Sequence, residues 1–291
     1  MLYFKTKKIM KKSLIVFAAA AAVFAQSCNK DMCSVSGRQA PAGGDREICF
    51  CAPDPDVEVG TKVEEVTAQN LASFNLLANV GGISSQTQQW TVTATRDGSS
   101  DTYLTGKYWP YANPSYHFYA SNVTMTSVAN GATVTVDGNT DVICAYNDSP
   151  TFGSVNQLNF THIFSRIGGV SVVSSKDYGI TDLSVVIKSC KTGGTYDIRT
   201  LTWSNPTVTD KALTVGDNDL YVVPGAYTLS VTYTFTKGDY VGTFTKTANI
   251  ELTVGKAHTI DITLAADPAV PLTFTVKVSA WTSKTIPITL N

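Results

Sequence analysis

The residues able to do chemistry in this 291-residue chain are few and scattered. Its three histidines, His117, His162 and His258, lie far apart, and none belongs to an HExxH or Cys/His cluster of the spacing a metal requires. No metal and no cofactor are expected. There is no GxSxG elbow for a nucleophile, no GxxxxGKS/T phosphate loop, and no GxGxxG between a strand and a helix. Asp54, Asp56 and Glu58 could bring carboxylates together, but acidic residues in a Pro-rich loop are ordinarily solvated. His258 shares strand parity with Ile260, Ile262 and Leu264 in HTIDITL, so it reads as a hydrogen-bonded histidine at a core margin rather than a catalytic base. No residue is nominated as catalytic, and the chain reads as a non-enzyme. Aromatic residues make up 10% of the chain and cluster at Tyr108-Trp109-Pro110-Tyr111 and Tyr116 to Tyr119. Exposed on loops they would stack on sugar rings, whereas the alternation in YHFYA favours core positions with Phe118 facing opposite to Tyr119.

One cysteine stands apart from the other five. Lys5, Lys7, Lys8, Lys11 and Lys12 form a basic head, and an uncharged run from Leu14 to Phe24 follows. That run lies within the roughly 7–15 residues of a secretory signal and falls short of the ~20 of a membrane span. It ends in Ala25-Gln26-Ser27-Cys28, which resembles the bacterial lipoprotein box. Cys28 is therefore the expected site of lipidation and the expected mature N-terminus, with a membrane as the partner of the attached acyl chains. The remaining cysteines are an odd set without metal-type CxxC pairs, and they read as small apolar residues. Cys49 and Cys51 would share one strand face and stand too close along the chain to bridge easily.

The elements around these residues are strands. Trp90, Val92 and Ala94 alternate with Thr91, Thr93 and Thr95; Tyr227, Leu229, Val231 and Tyr233 alternate with Thr228, Ser230 and Thr232; Ile250, Leu252 and Val254 follow the same rule. A period of two places one set in a core and the other in water. Turn signals recur between the runs at Asp97-Gly98, Asp137-Gly138, Pro224-Gly225 and Lys237-Gly238-Asp239. Charged residues are only 15% of the chain and the formal net charge is −1, so there is no basic field for nucleic acid. The expectation is an all-β protein: a signal peptide over 1–27, a flexible Gly/Ser/Pro tether over 28–45, and two antiparallel β-sandwich domains over 46–156 and 157–291.

Several separated segments together resemble the fimbrillin family of Bacteroidales, pilus subunits that derive from lipoproteins. They are the lipobox at Cys28, REICFCA at Arg46 to Ala52, TKVEEVTAQNLASFNLLA at Thr61 to Ala78, YWPYANPSYHFYAS at Tyr108 to Ser121, LNFTHIFSRIGGVSV at Leu158 to Val172, and LTVGKAHTIDITL at Leu252 to Leu264. The resemblance implies transthyretin-like sandwiches, a surface-exposed precursor anchored by its lipid in the outer membrane, other fimbrial subunits as partners, and assembly by strand exchange in support of cell adhesion. It implies that a protease removes an N-terminal strand, here the one carrying Ile48, Phe50 and Ala52, and that a C-terminal strand of the next subunit, here Ile286, Ile288 and Leu290, fills the groove. Pro287 in that run suits an edge strand with its nitrogen facing away from the partner. An earlier tail run, Leu272, Phe274, Val276 and Val278, has the same alternation. The family's processing position is an arginine, but Lys62 stands there, and the nearest arginines, Arg46 and Arg38, precede the strand. Either a lysine-tolerant protease acts, or the protein stays uncut as an anchor or accessory subunit. The ligand on a host or bacterial surface is not named by the sequence.

Overall fold

The computed structural model describes residues 47–52, 71–81, 88–98, 102–109, 115–129, 131–174, 179–264 and 273–280. Every regular element among the described residues is a strand, as the alternating pattern predicts. The first part of the chain supplies β1 (Glu47–Cys51), β2 (Ser73–Val80), β3 (Gln88–Arg96), β4 (Thr102–Tyr108) and β5 (Tyr116–Ser121), then the short pair β6 (Thr126–Val128) and β7 (Gly131–Val136), then β8 (Ile143–Asn147), β9 (Val155–Gln157) and β10 (Thr161–His162). All but β6 and β7 join one eight-stranded sheet ordered β10-β8-β5-β2-β3-β4-β1-β9. In a flat sheet β1 and β5 would lie roughly 19 Å apart. Yet the Phe50 ring of β1 meets the Phe118 ring of β5 edge-on, with centroids 4.9 Å apart. The sheet therefore curls over on itself and encloses a core that includes Ile48, Phe74, Leu76, Tyr103 and Trp109.

The second part forms a sandwich of two four-stranded sheets. Its strands are β11 (Ser165–Ser174), β12 (Gly179–Thr192), β15 (Thr207–Leu213), β16 (Gly216–Val222), β17 (Gly225–Lys237), β18 (Tyr240–Leu252), β19 (Lys256–Leu264) and β20 (Thr273–Ala280). They pair as β16-β11-β19-β20 and β15-β12-β17-β18, and Ile187, Leu229, Val231, Ile260 and Ile262 fill the space between. Most pairings are antiparallel; β1 with β9 and β11 with β19 are parallel. The alternation read for Tyr227, Leu229, Val231 and Tyr233 holds, with all four buried. Val254 departs from it: β18 ends at Leu252, and Val254 is exposed in the turn before β19.

A fourth sheet, β14-β13-β7-β6, brings in β13 (Gly194–Asp197) and β14 (Thr202–Ser204). It pairs β7 with β13, so it joins strands from both sides of the boundary expected after residue 156. Its apolar side, with Val134, Tyr196 and Ile198, packs with Leu77, Tyr119 and Cys144 of the large sheet. This explains why β5 is buried on both faces: Phe118 enters the first core and Tyr119 the bridging one. Two glycines, Gly138 and Gly193, permit the close approach. Gly193 has φ +67°, and a Cβ there would stand 2.7 Å from the Cα of Asp137 and against the Val136 carbonyl oxygen.

His258 ties β19 to its surroundings. Fully buried, it accepts the Thr253 N–H at Nε2 (3.1 Å), and its Nδ1 lies 3.3 Å from the Arg166 carbonyl oxygen. Only a neutral ring protonated at Nδ1 satisfies both contacts, and burial lowers its pKa. The unfolded ring binds its proton near the ordinary pH of about 6.5; the folded ring binds it only at lower pH. Stability from this group is thus complete above about pH 6.5 and is lost on acidification.

Two outcomes are expected. Gly193→Ala should lower stability by about 2 kcal/mol or more in denaturant unfolding, because its φ and its backbone neighbours both oppose a side chain. Between pH 7.5 and 5.5 the wild type should lose stability more steeply than His258→Asn, as read by urea midpoints at each pH.

Candidate functional site

A five-residue run that is apolar at every position but the first can be buried on both faces, and a strand so buried needs neighbours on both edges. β1, reading Glu-Ile-Cys-Phe-Cys, meets this condition, with every residue buried. It lies between β4, antiparallel, and β9, parallel. Cys49, Phe50 and Cys51 stand opposite Leu104, Tyr103 and Thr102 on one side, and opposite Val155, Asn156 and Gln157 on the other. Beyond β9 the Leu158 N–H donates to the Cys51 carbonyl at 2.9 Å. Ile48, Phe50 and Ala52 point into the first core, while Cys49 and Cys51 are buried off it. The slot is therefore walled on four sides, by two backbone edges and two packed faces.

Elsewhere the sheets carry protection against stray pairing. The edge strand β18 places Lys246 opposite Val231, a core residue, so a charge stands on the core-facing side of that edge, a common barrier to further strand addition. The edge of the large sheet beside β1 is β9, only three residues long. The first tail run is already used: β20 pairs with β19 from Thr273 opposite Thr263 to Ala280 opposite Lys256.

The other sequence candidates separate plainly. Cys28, Arg38, Arg46, Lys62, Ile286, Ile288 and Leu290 lie outside the described residues. Trp109 is 1% exposed and packs edge-on against Tyr116 at 5.1 Å, so it offers no platform to a sugar; Tyr111 lies outside the described residues. His117 meets the Tyr146 hydroxyl at 3.2 Å and His162 the Asp141 carboxylate at 2.9 Å, each in a separate environment from His258. Among the described residues no cluster of His, Cys, Asp and Glu is arranged to hold a metal. Burial pushes the Cys144 thiol up to about 12 and the Cys190 thiol to about 11, which leaves almost no thiolate at neutral pH. Sequence reasoning missed Glu47 and Thr105 at the entrance of the slot, because a polar residue gives no sign of a partner that lies distant in the chain.

The profile of a family described as fimbrillin-like matches residues 67–281. A search of curated proteins finds no relative of this sequence. Among solved structures, a candidate cell adhesion protein from Bacteroides ovatus is similar, with TM-score 0.50 and 13% identity over 83% of this chain and 99% of that one. Another from Parabacteroides distasonis gives TM-score 0.51 and 10% identity over 83% and 98%. A fimbrial assembly protein from Parabacteroides distasonis is more distant, with TM-score 0.43 and 8% identity over 81% and 98%. At such identities the first two likenesses speak for the fold alone, and the matched profile, spanning most of the chain, places the protein in the fimbrillin-like family.

Proposed function

We propose that this chain is a structural subunit of a surface fimbrium, exported as a lipoprotein through Cys28 and polymerised by strand exchange at the β1 slot. The observation that carries this reading is β1 itself: a short strand buried on both faces inside a sheet, joined to β2 through a segment that contains Lys62. While that connection is intact, β1 occupies its slot at very high effective concentration, and an outside strand cannot compete. A cut at Lys62 leaves β1 held by non-covalent contacts alone. Its departure uncovers the edges of β4 and β9 together with the apolar floor around Phe118, a surface that a strand from another copy can satisfy.

The last run of the chain, Ile286, Ile288 and Leu290, is the donor in this reading, since β20 already takes the earlier tail run. Burying three aliphatic side chains at ~1.5–3 kcal/mol each, with added ladder hydrogen bonds, gives a gross drive of several kcal/mol. Cleavage after Arg46 does not serve the same end. The next residues, Glu47 and Ile48, are buried in β1, whereas proteases prefer exposed, extended segments, and a cut there leaves β1 attached to the body of the protein. Arg38 likewise precedes the strand. A second reading, an uncut anchor or accessory subunit, draws on Lys62 standing where the family pattern has an arginine.

Treatment with a lysine-specific protease should convert the wild type from monomer to fibres seen by electron microscopy and to ladders on an unboiled denaturing gel. Lys62→Ala should stay monomeric, and deletion of residues 285–291 should give a folded, cut subunit that does not extend. Fibres from the tail-deleted protein would refute the donor assignment, and unaltered monomer after verified cutting would favour the anchor reading. In cells, a fatty-acid analogue should label the wild type and not Cys28→Ser; equal labelling would remove the lipid anchor.

A further inference from the structure

The ladder between β1 and β4 is broken at one place. Glu47 stands opposite Tyr108 and Cys49 opposite Leu104, so three residues of β4 (Thr105, Gly106 and Lys107) face Ile48 alone. A bulge of this kind leaves backbone groups without ladder partners; Gly106 and Lys107 are exposed, but Ile48 is fully buried, and an unpaired buried group is costly. Two side chains take up these groups. The Thr105 hydroxyl donates to the Ile48 carbonyl at 2.7 Å, and its oxygen accepts the Lys107 N–H at 3.1 Å. The Gly106 N–H donates to a Glu47 carboxylate oxygen at 2.7 Å. Gly106 has φ +67°, and a Cβ there would meet nothing within 4 Å, so conformation rather than space makes glycine suitable. Glu47 and Thr105 are both buried.

The position of this cluster gives it leverage. β9 pairs only with Cys49, Phe50 and Cys51, so the first two residues of β1 have a ladder partner on the β4 side alone, at the point where that ladder fails. We propose that Glu47 and Thr105 form a polar latch that closes the bulge and limits how readily β1 leaves its slot. On the reading of β1 as the exchanged strand, the latch also faces the lipidated side of the chain: after a cut at Lys62, β1 stays joined to residues 28–46, and any pull from the membrane reaches Glu47 first. Both are positioning residues, acting through the backbone of β1 and β4.

The molecule carries its own reporters. Cys49 and Cys51 sit in β1, Cys144 and Cys190 elsewhere, and all four are reduced and buried. Alkylation of the uncut full-length protein, mapped by mass spectrometry, therefore separates exit of β1 from global unfolding. Glu47→Ala and Thr105→Val should each raise the labelling rate of Cys49 and Cys51 by roughly tenfold or more, the loss expected for a buried hydrogen bond to a charged or orphaned group, with Cys144 and Cys190 still protected. Glu47→Gln and Thr105→Ser, which keep an acceptor and a hydroxyl, should stay within about threefold of the wild type. Unchanged rates in the first pair, or all four cysteines rising together, would overturn the latch. Because the protein is uncut in this experiment, the outcome does not depend on polymerisation. Absence of fibres after cutting at Lys62 would count against strand exchange and leave the latch standing.

Discussion

A strand with both faces buried cannot end a sheet without leaving a row of backbone groups unpaired beside an apolar face, and β1 is such a strand. The rest of the first unit is arranged around this requirement. β4 and β9 come from distant parts of the chain to flank it, and the sheet curls until Phe118 of β5 rests against Phe50. Phe74, which lies between Tyr103 and Phe160, extends the same aromatic packing away from the slot. Taking β1 away would open both a hydrogen-bonding edge and a core, and the proposed strand exchange rests on that joint exposure.

The second constraint is the joint between the two parts of the chain. β7 and β13 pair across it, and Leu77, Tyr119, Tyr196 and Tyr221 share one apolar cluster. Gly138 and Gly193 allow the backbones to meet where any side chain would hold them apart. A subunit that bears load along a fibre gains from a joint of this kind, since force passes through a sheet and a packed core. Lys246, on the core-facing side of the β18 edge, discourages a further strand from adding there.

Much of this was legible in advance. Alternation in YHFYA separated Phe118 from Tyr119, and they do enter different cores; parity placed His258 among core isoleucines, where it accepts and holds hydrogen bonds as a neutral ring. Trp109 could have faced water on a loop or been buried, and local pattern left both open; its burial is set by Tyr116 and Phe118, which pack edge-on against it. The parallel docking of β1 on β9, the two bulges that interrupt the pairing of β12, and the Glu47–Gly106 contact gave no sequence signal. Each depends on a partner many residues away.

By itself the sequence determined that the described chain is made of strands, which side of most strands faces a core, and which family the protein joins, because period-two alternation and turn residues act over a few positions and survive in any tertiary setting. Only the tertiary structure decided which strand lies beside which, that β1 is interior, that β20 is already paired, and that one sheet bridges the two parts. The physical reason is that ladders are built from backbone N–H and C=O groups that almost every residue carries alike. Neighbours are therefore selected by the fit of side chains across the whole fold, such as Phe50 against Phe118, and that fit exists only once the chain has closed on itself.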